Sequence, residues 1–182
     1  MAYFSSRYPN KTFSTQLALG ISLLFGVFFQ SLLNFFSFEI YGSSIPITLM
    51  ILIYWNIALP KNIGLSWSFI SGILLDLNLG YFLGTHVILF LFISYLTQRY
   101  FHRIRAMFQI QQSLLIASIV FLYLLSLYVF FQEFSFFVFL AIILNSLISA
   151  FVWPILFGLL RIIRRKYTYA SVSYTHLTLP TR

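Results

Sequence analysis

Few side chains in this sequence can do chemistry, and the one that most needs an explanation is Asp76. It stands in the run Ser-Gly-Ile-Leu-Leu-Asp-Leu-Asn-Leu-Gly at 71–80 and is one of only three acidic residues in the 182-residue chain. An ionised carboxylate is expensive in hydrocarbon, where such groups are neutralised, paired or functional. General acid–base work would need a second titratable group at the same level. His86 and His102 fall on opposite sides of the membrane in the topology argued below, so they form no pair, and His86 reads as an interfacial polar residue. With no cysteine there is no thiol nucleophile, disulfide framework or thiolate metal site. The H-E-x-x-H, G-x-x-x-x-G-K-[ST] and G-x-S-x-G patterns are absent; Gly-Leu-Ser-Trp-Ser at 64–68 lacks the second glycine of the last. The expectation is a non-enzymatic chain with no catalytic residue, metal or cofactor.

The spacing around Asp76 says more than its charge. Gly72, Asp76 and Gly80 recur at i, i+4 and i+8 and share one face of a helix that persists that far. Small residues on a face let a second helix approach closely. Leu79, the last apolar residue of the run, lies about 4.5 Å further along the axis, so the carboxylate can reach the interface. Its cost there falls below the roughly 2.5–3.5 kcal/mol assigned to a helix centre. Two accounts follow. Asp76 is either a water-exposed acid beside a packing seam, or a seam acid bonded across to a backbone or polar group. The second is preferred. With Gly84, these residues form the candidate helix-packing or partner seam.

The elements that must position them are membrane helices. The chain is 60% hydrophobic and 8% charged, whereas soluble domains carry about 25% charged residues. Lipid must solvate most of this surface. A span needs about 20 mostly apolar residues, and six segments qualify or nearly so: 16–36, 44–59 with Pro46 near its start, 63–79, 85–97, 113–131 and 135–160 with a kink at Pro154. The first exceeds a signal-peptide core and is read as retained. Pro60, Lys61 and Asn62 break the chain between the second and third. Residues 98–111 form either a short interfacial helix, with Phe101, Ile104 and Phe108 on one face, or a solvated basic loop.

The charges test this count. With six spans, Arg7, Lys11, Lys61, Arg99, Arg103, Arg105, Arg161, Arg164, Arg165 and Lys166 all fall on one side, and Glu39 and Glu133 on the other. Lys/Arg excess marks the cytoplasmic side. The expectation is an all-α integral membrane protein of six transmembrane helices with both termini cytoplasmic. Its basic edge (Arg99, Arg103, Arg105, Arg161, Arg164, Arg165, Lys166) faces anionic inner-leaflet lipid, not nucleic acid. Residues 1–171 make one transmembrane domain. Residues 172–182 resemble the translation of a transposon-type sequencing adapter and are set aside as a non-native tail, so that native sequence stops near Ala170 or Ser171.

Pro60 and Gly64, followed by Gly-Ile-Leu-Leu-Asp-Leu-Asn-Leu-Gly-Tyr-Phe-Leu-Gly from Gly72 to Gly84 and the apolar run to Leu96, resemble the MreD family of rod-shape-determining membrane proteins. The shared signature is a glycine, an apolar run, an aspartate and a G-x-x-L-G-type turn, here Gly72, Asp76, Gly80, Leu83 and Gly84. Tyr81-Phe82 departs from it, where a small or proline-containing turn is expected. The resemblance implies a non-enzymatic inner-membrane component of the bacterial elongation machinery that scaffolds or regulates lateral peptidoglycan synthesis and cell shape. The partners it implies are an MreC-like protein, the MreB filament, a glycan polymerase and a transpeptidase, with homo-oligomerisation left open. It also implies a remote similarity to the substrate-binding subunits of energy-coupling-factor transporters. The alternative function is therefore a small-molecule-binding membrane subunit of a vitamin-type transporter, with Asp76 as a ligand contact.

Overall fold

A computed structural model describes residues 9–36, 44–131 and 135–168. Among them the chain is all helix: α1 (Pro9–Phe35), α2 (Ile47–Ala58), α3 (Pro60–Leu79), α4 (Thr85–Ala106), α5 (Gln109–Phe131) and α6 (Phe136–Thr168). Arg7, Glu39, Glu133 and the 172–182 tail lie outside the described residues, as do the side chains of Lys11 and Lys61.

The centre of the bundle is α2, on which α1, α3, α4 and α6 all pack. Every residue from Thr48 to Ala58 is buried, as expected of a helix that is apolar all round. The other helices turn large apolar side chains outward, among them Phe28 at 64%, Phe92 at 61% and Phe151 at 80% exposure. An apolar exterior around an apolar centre requires lipid as the outer solvent. Thr15–Phe35, Gln109–Val129 and Phe136–Lys166 are long and apolar enough to cross a bilayer. The 12-residue α2 measures about 18 Å at 1.5 Å per residue, short of a hydrocarbon core of about 30 Å.

Several element boundaries differ from the sequence reading, each for a local reason. The break between α2 and α3 falls at Leu59, one residue before the expected one, and Pro60 is the first residue of α3, where its missing N–H costs nothing. The bend comes at Gly64, whose φ of 54° and ψ of 174° suit only glycine. Residues 98–106 are neither a separate interfacial helix nor a loop but the end of α4, since nothing between Thr97 and Ala106 breaks a helix. The break falls at Met107-Phe108. Pro154 lies inside α6, which runs on to Thr168.

Polar side chains tie α2 to its neighbours. The Trp55 indole N–H donates to Ser22 Oγ on α1 at 2.8 Å. Asn56 Nδ2 donates to Ser94 Oγ on α4 at 3.0 Å, Ser68 Oγ on α3 lies 2.7 Å from the same hydroxyl, and Gln98 Nε2 donates to Asn56 Oδ1 at 2.7 Å. Asn56, Ser68 and Ser94 are fully buried. A buried polar group is tolerated when its partners are present, and this cluster joins three helices at one point.

Candidate functional site

Asp76 lies in the last turn of α3, and Gly80 ends that helix in the left-handed conformation with φ 71° and ψ 22°. The Gly80 and Tyr81 amides both donate to the Asp76 carbonyl. This is the usual glycine-terminated helix end. The chain then turns through 80–84 and α4 starts at Thr85, with Gly84 as its N-cap at φ 108°. Glycine has no side chain with which to cap the first amides of α4, and the Asp76 carboxylate supplies that cap from α3. Gly84 N–H donates to Oδ2 at 2.8 Å and His86 N–H to Oδ1 at 3.0 Å. His86 Nδ1 lies 2.6 Å from the same Oδ1. A carboxylate only accepts, so Nδ1 carries the proton here. Negative charge at a helix N-terminus is also favoured by the helix dipole.

Asp76 and His86 are each 1% exposed. The imidazole is enclosed by aromatic rings: Tyr81 at 4.9 Å, Tyr123 of α5 at 6.0 Å and Phe90 at 6.1 Å between centroids. The Tyr123 hydroxyl is buried without a hydrogen-bond partner among the described residues. One turn below Asp76, α3 meets α4 at close range. A Cβ on Gly72 would stand 2.6 Å from Val87 Cα and 2.9 Å from Val87 N.

The four glycine and aspartate positions singled out from the sequence therefore do different things. Gly72 and Asp76 face α4 directly. Gly80 and Gly84 touch nothing within 4 Å where a Cβ would go; they serve the backbone of the turn through positive φ. That division also accommodates Tyr81-Phe82, because only the flanking positions need glycine. His86 is corrected most sharply. It is not an interfacial polar residue but a buried partner of Asp76. The pairing spans ten residues and depends on closing the turn, and the two glycines flanking that turn were the only signal that could have suggested it.

A buried carboxylate–imidazole pair could in principle orient a general base. Among the described residues the hydrogen bonds of His86 go to Asp76 and to no hydroxyl, and no group of three His, Cys, Asp or Glu gathers to hold a metal. What the pair can do, as placed, is lock the end of α3 to the start of α4. The turn between them exposes Phe82 at 84% and Leu83 at 66%.

The basic residues also divide. Arg105 is committed to the fold: its guanidinium donates to the Ile57 and Ala58 carbonyls at the end of α2 and stacks over Phe101 at 5.5 Å. Arg103 lies over Tyr100 at 5.9 Å. Arg99, Arg161, Arg165 and Lys166 are exposed on α4 and α6, and Arg164 is half-buried.

The family model for the rod shape-determining protein MreD matches residues 11–163. The chain belongs to the MreD family. A curated relative, the rod shape-determining protein MreD of Haemophilus influenzae, is 36% identical over 121 residues, covering 64% of this chain and 73% of that protein. No solved structure matches. Membership of the MreD family makes the chain a rod-shape-determining membrane protein, and the matched region contains the whole of the α3–α4 hairpin with its Asp76–His86 pair.

Proposed function

We propose that this chain is a non-enzymatic scaffold of the cell-elongation machinery in the bacterial inner membrane, with both termini cytoplasmic, and that the α3–α4 hairpin presents a periplasm-proximal surface to an MreC-like partner. Through that partner it takes part in lateral wall synthesis alongside the MreB filament, the glycan polymerase and the transpeptidase. The observation that carries this reading is the Asp76 carboxylate, which accepts from Gly84 N–H, His86 N–H and His86 Nδ1 while buried. A buried group so fully used holds a shape. The shape it holds is the 80–84 turn, whose tip offers Phe82 and Leu83 to whatever lies outside. Exposed apolar side chains on a rigid turn are suited to protein contact. The orientation is supported by the segregation of basic residues to the opposite helix ends.

The test is pull-down of an MreC-like partner from detergent-solubilised membranes. Phe82→Ala with Leu83→Ala should weaken recovery while leaving the protein monodisperse and its thermal stability unchanged, since neither side chain is buried. Full recovery with both removed would place the contact elsewhere on the molecule. Tight co-purification of a vitamin-sized ligand instead would favour the transporter-subunit alternative.

A further inference from the structure

We infer that the cleft between α4 and α5 is a binding site for an anionic phospholipid, with an acyl chain lying between the helices and its phosphate on Arg103.

The cleft exists because two consecutive helices do not close on each other. Only Met107 and Phe108 separate α4 from α5. Yet α4 packs mainly on α3 and α2, and α5 packs mainly on α6. Between α4 and α5 there remains a groove of about 370 Å³, apolar over most of its length. It runs from Leu89 on α4 to Arg103 near its end, about 21 Å at 1.5 Å per residue. One leaflet's hydrocarbon is about 15 Å deep, half of a core of about 30 Å. The groove thus has room for a full acyl chain and for the ester region below it. It opens sideways to the bilayer, past Phe92 at 61% and Leu122 at 61% exposure.

Charge settles what kind of lipid. Arg103 is the one charged residue lining the groove, and it stands at one end beside Tyr100. Asp76, the only acidic residue among those described, is at the other end of α4 and is committed to His86. Arg103 therefore has no carboxylate partner among the described residues, in contrast to Arg105, whose guanidinium is used on α2. A cation in the last turn of α4 also complements the helix dipole. That accounts for its sign but not for its place at the mouth of an apolar groove. A phosphate at this mouth would be held by guanidinium, with the chain above it sheltered by both helices. With the orientation proposed above, Arg103 places this lipid in the cytoplasmic leaflet; the binding itself does not rest on that orientation.

Native mass spectrometry of the detergent-purified chain, titrated with phosphatidylglycerol and with phosphatidylethanolamine, tests this. The wild type should retain phosphatidylglycerol in preference. Arg103→Gln should reduce that retention about fivefold, the effect of about 1 kcal/mol per basic residue at an anionic headgroup, and reduce phosphatidylethanolamine retention less, because the ammonium of that headgroup offsets its phosphate charge. Ile119→Trp, which fills the groove, should reduce retention of both. Inorganic phosphate alone should not displace the lipid, because most of the contact is with the chain. Equal retention of the two lipids by the wild type, or unchanged phosphatidylglycerol retention by Arg103→Gln, would overturn the proposal. So would displacement by phosphate alone. Loss of a co-purifying membrane protein from Ile119→Trp, with lipid retention unchanged, would make the groove a protein surface and overturn it as well. Should Ile119→Trp fail to fold, the exposed Arg103→Gln decides alone. None of the lipid-retention readouts depends on recovery of an elongation partner, so failure here and failure of the scaffold reading are separately visible.

Discussion

Val87 of α4 stands against Gly72 of α3 so closely that a Cβ on residue 72 would lie 2.6 Å from the Val87 backbone Cα. The contact is backbone to backbone, so no side chain can rotate away to relieve a larger residue. Gly72→Ala should separate the two helices and lower stability by about 1–3 kcal/mol, the range for overpacking a close-fitted site. Gly72→Leu should cost more. Thermal unfolding in detergent reads the difference, and a Gly72→Ala protein as stable as wild type would mean that the helices have slack the geometry does not show.

The Asp76 cap makes a graded prediction. Asp76→Leu removes the acceptor for Gly84 N–H, His86 N–H and His86 Nδ1 together; each of the two buried His86 donors left unsatisfied costs about 1–3 kcal/mol, and the half-buried Gly84 N–H costs less. Asp76→Asn keeps one acceptor oxygen, which can still serve His86, but turns an NH₂ toward the Gly84 amide that the second carboxylate oxygen now accepts. Asn should therefore fall between wild type and Leu in stability and in recovery of an MreC-like partner. Wild-type recovery with Asn and loss with Leu would show that the Gly84 bond is dispensable. Equal loss with both would show that charge, not the number of bonds, is what the hairpin needs.

How much of this was legible beforehand follows from what each feature depends on. Lipid solvent and the segregation of charge depend on composition and order along the chain, and an all-helical membrane protein follows from them. The i, i+4 spacing of Gly72 and Asp76 likewise places both on one helix face, and both face α4. The bond to His86 depends on how tightly the 80–84 turn closes, which no periodicity encodes. The Asn56, Ser68, Ser94 and Gln98 cluster depends on the relative rotation of three helices. The brevity of α2 was hidden because an apolar run does not say whether lipid or other helices surround it.

Tyr123 offers a test of opposite sign. Its hydroxyl is buried with no hydrogen-bond partner among the described residues, while its ring packs against His86 and Phe90. Tyr123→Phe keeps the ring and removes an unsatisfied polar atom, whose burial costs about 1–3 kcal/mol. The variant should unfold at the same temperature as wild type or higher. A clear drop in the midpoint would mean that the hydroxyl has a partner in the membrane.

The topology can be read directly, because the chain contains no cysteine. Single cysteines at Ser37, Gln132 and Gln111 divide the proposed outer side from the inner. A membrane-impermeant thiol reagent on intact spheroplasts should label Ser37→Cys and Gln132→Cys and spare Gln111→Cys. The reverse pattern would invert the molecule, and labelling of only one of the first two would break the count of six crossings.

Arg105 separates a structural cation from a membrane-facing one. Its guanidinium donates to the Ile57 and Ala58 carbonyls, two of the acceptors that the end of α2 would otherwise leave unpaired. Arg105→Met keeps the apolar stem and removes the donors, and hydrogen bonds to charged groups contribute about 1.5–3 kcal/mol. Arg105→Lys keeps the charge and has donors enough for both carbonyls, but both bonds come from Nη2 at the far end of the arginine, which the shorter lysine reaches less well, so it should recover only part of the loss. Arg99→Met, which removes an exposed cation from the same helix, should change thermal stability by less than about 0.5 kcal/mol. If Arg105→Met and Arg99→Met prove equally mild in detergent, Arg105 belongs with the exposed basic edge, and the end of α2 finds its donors elsewhere.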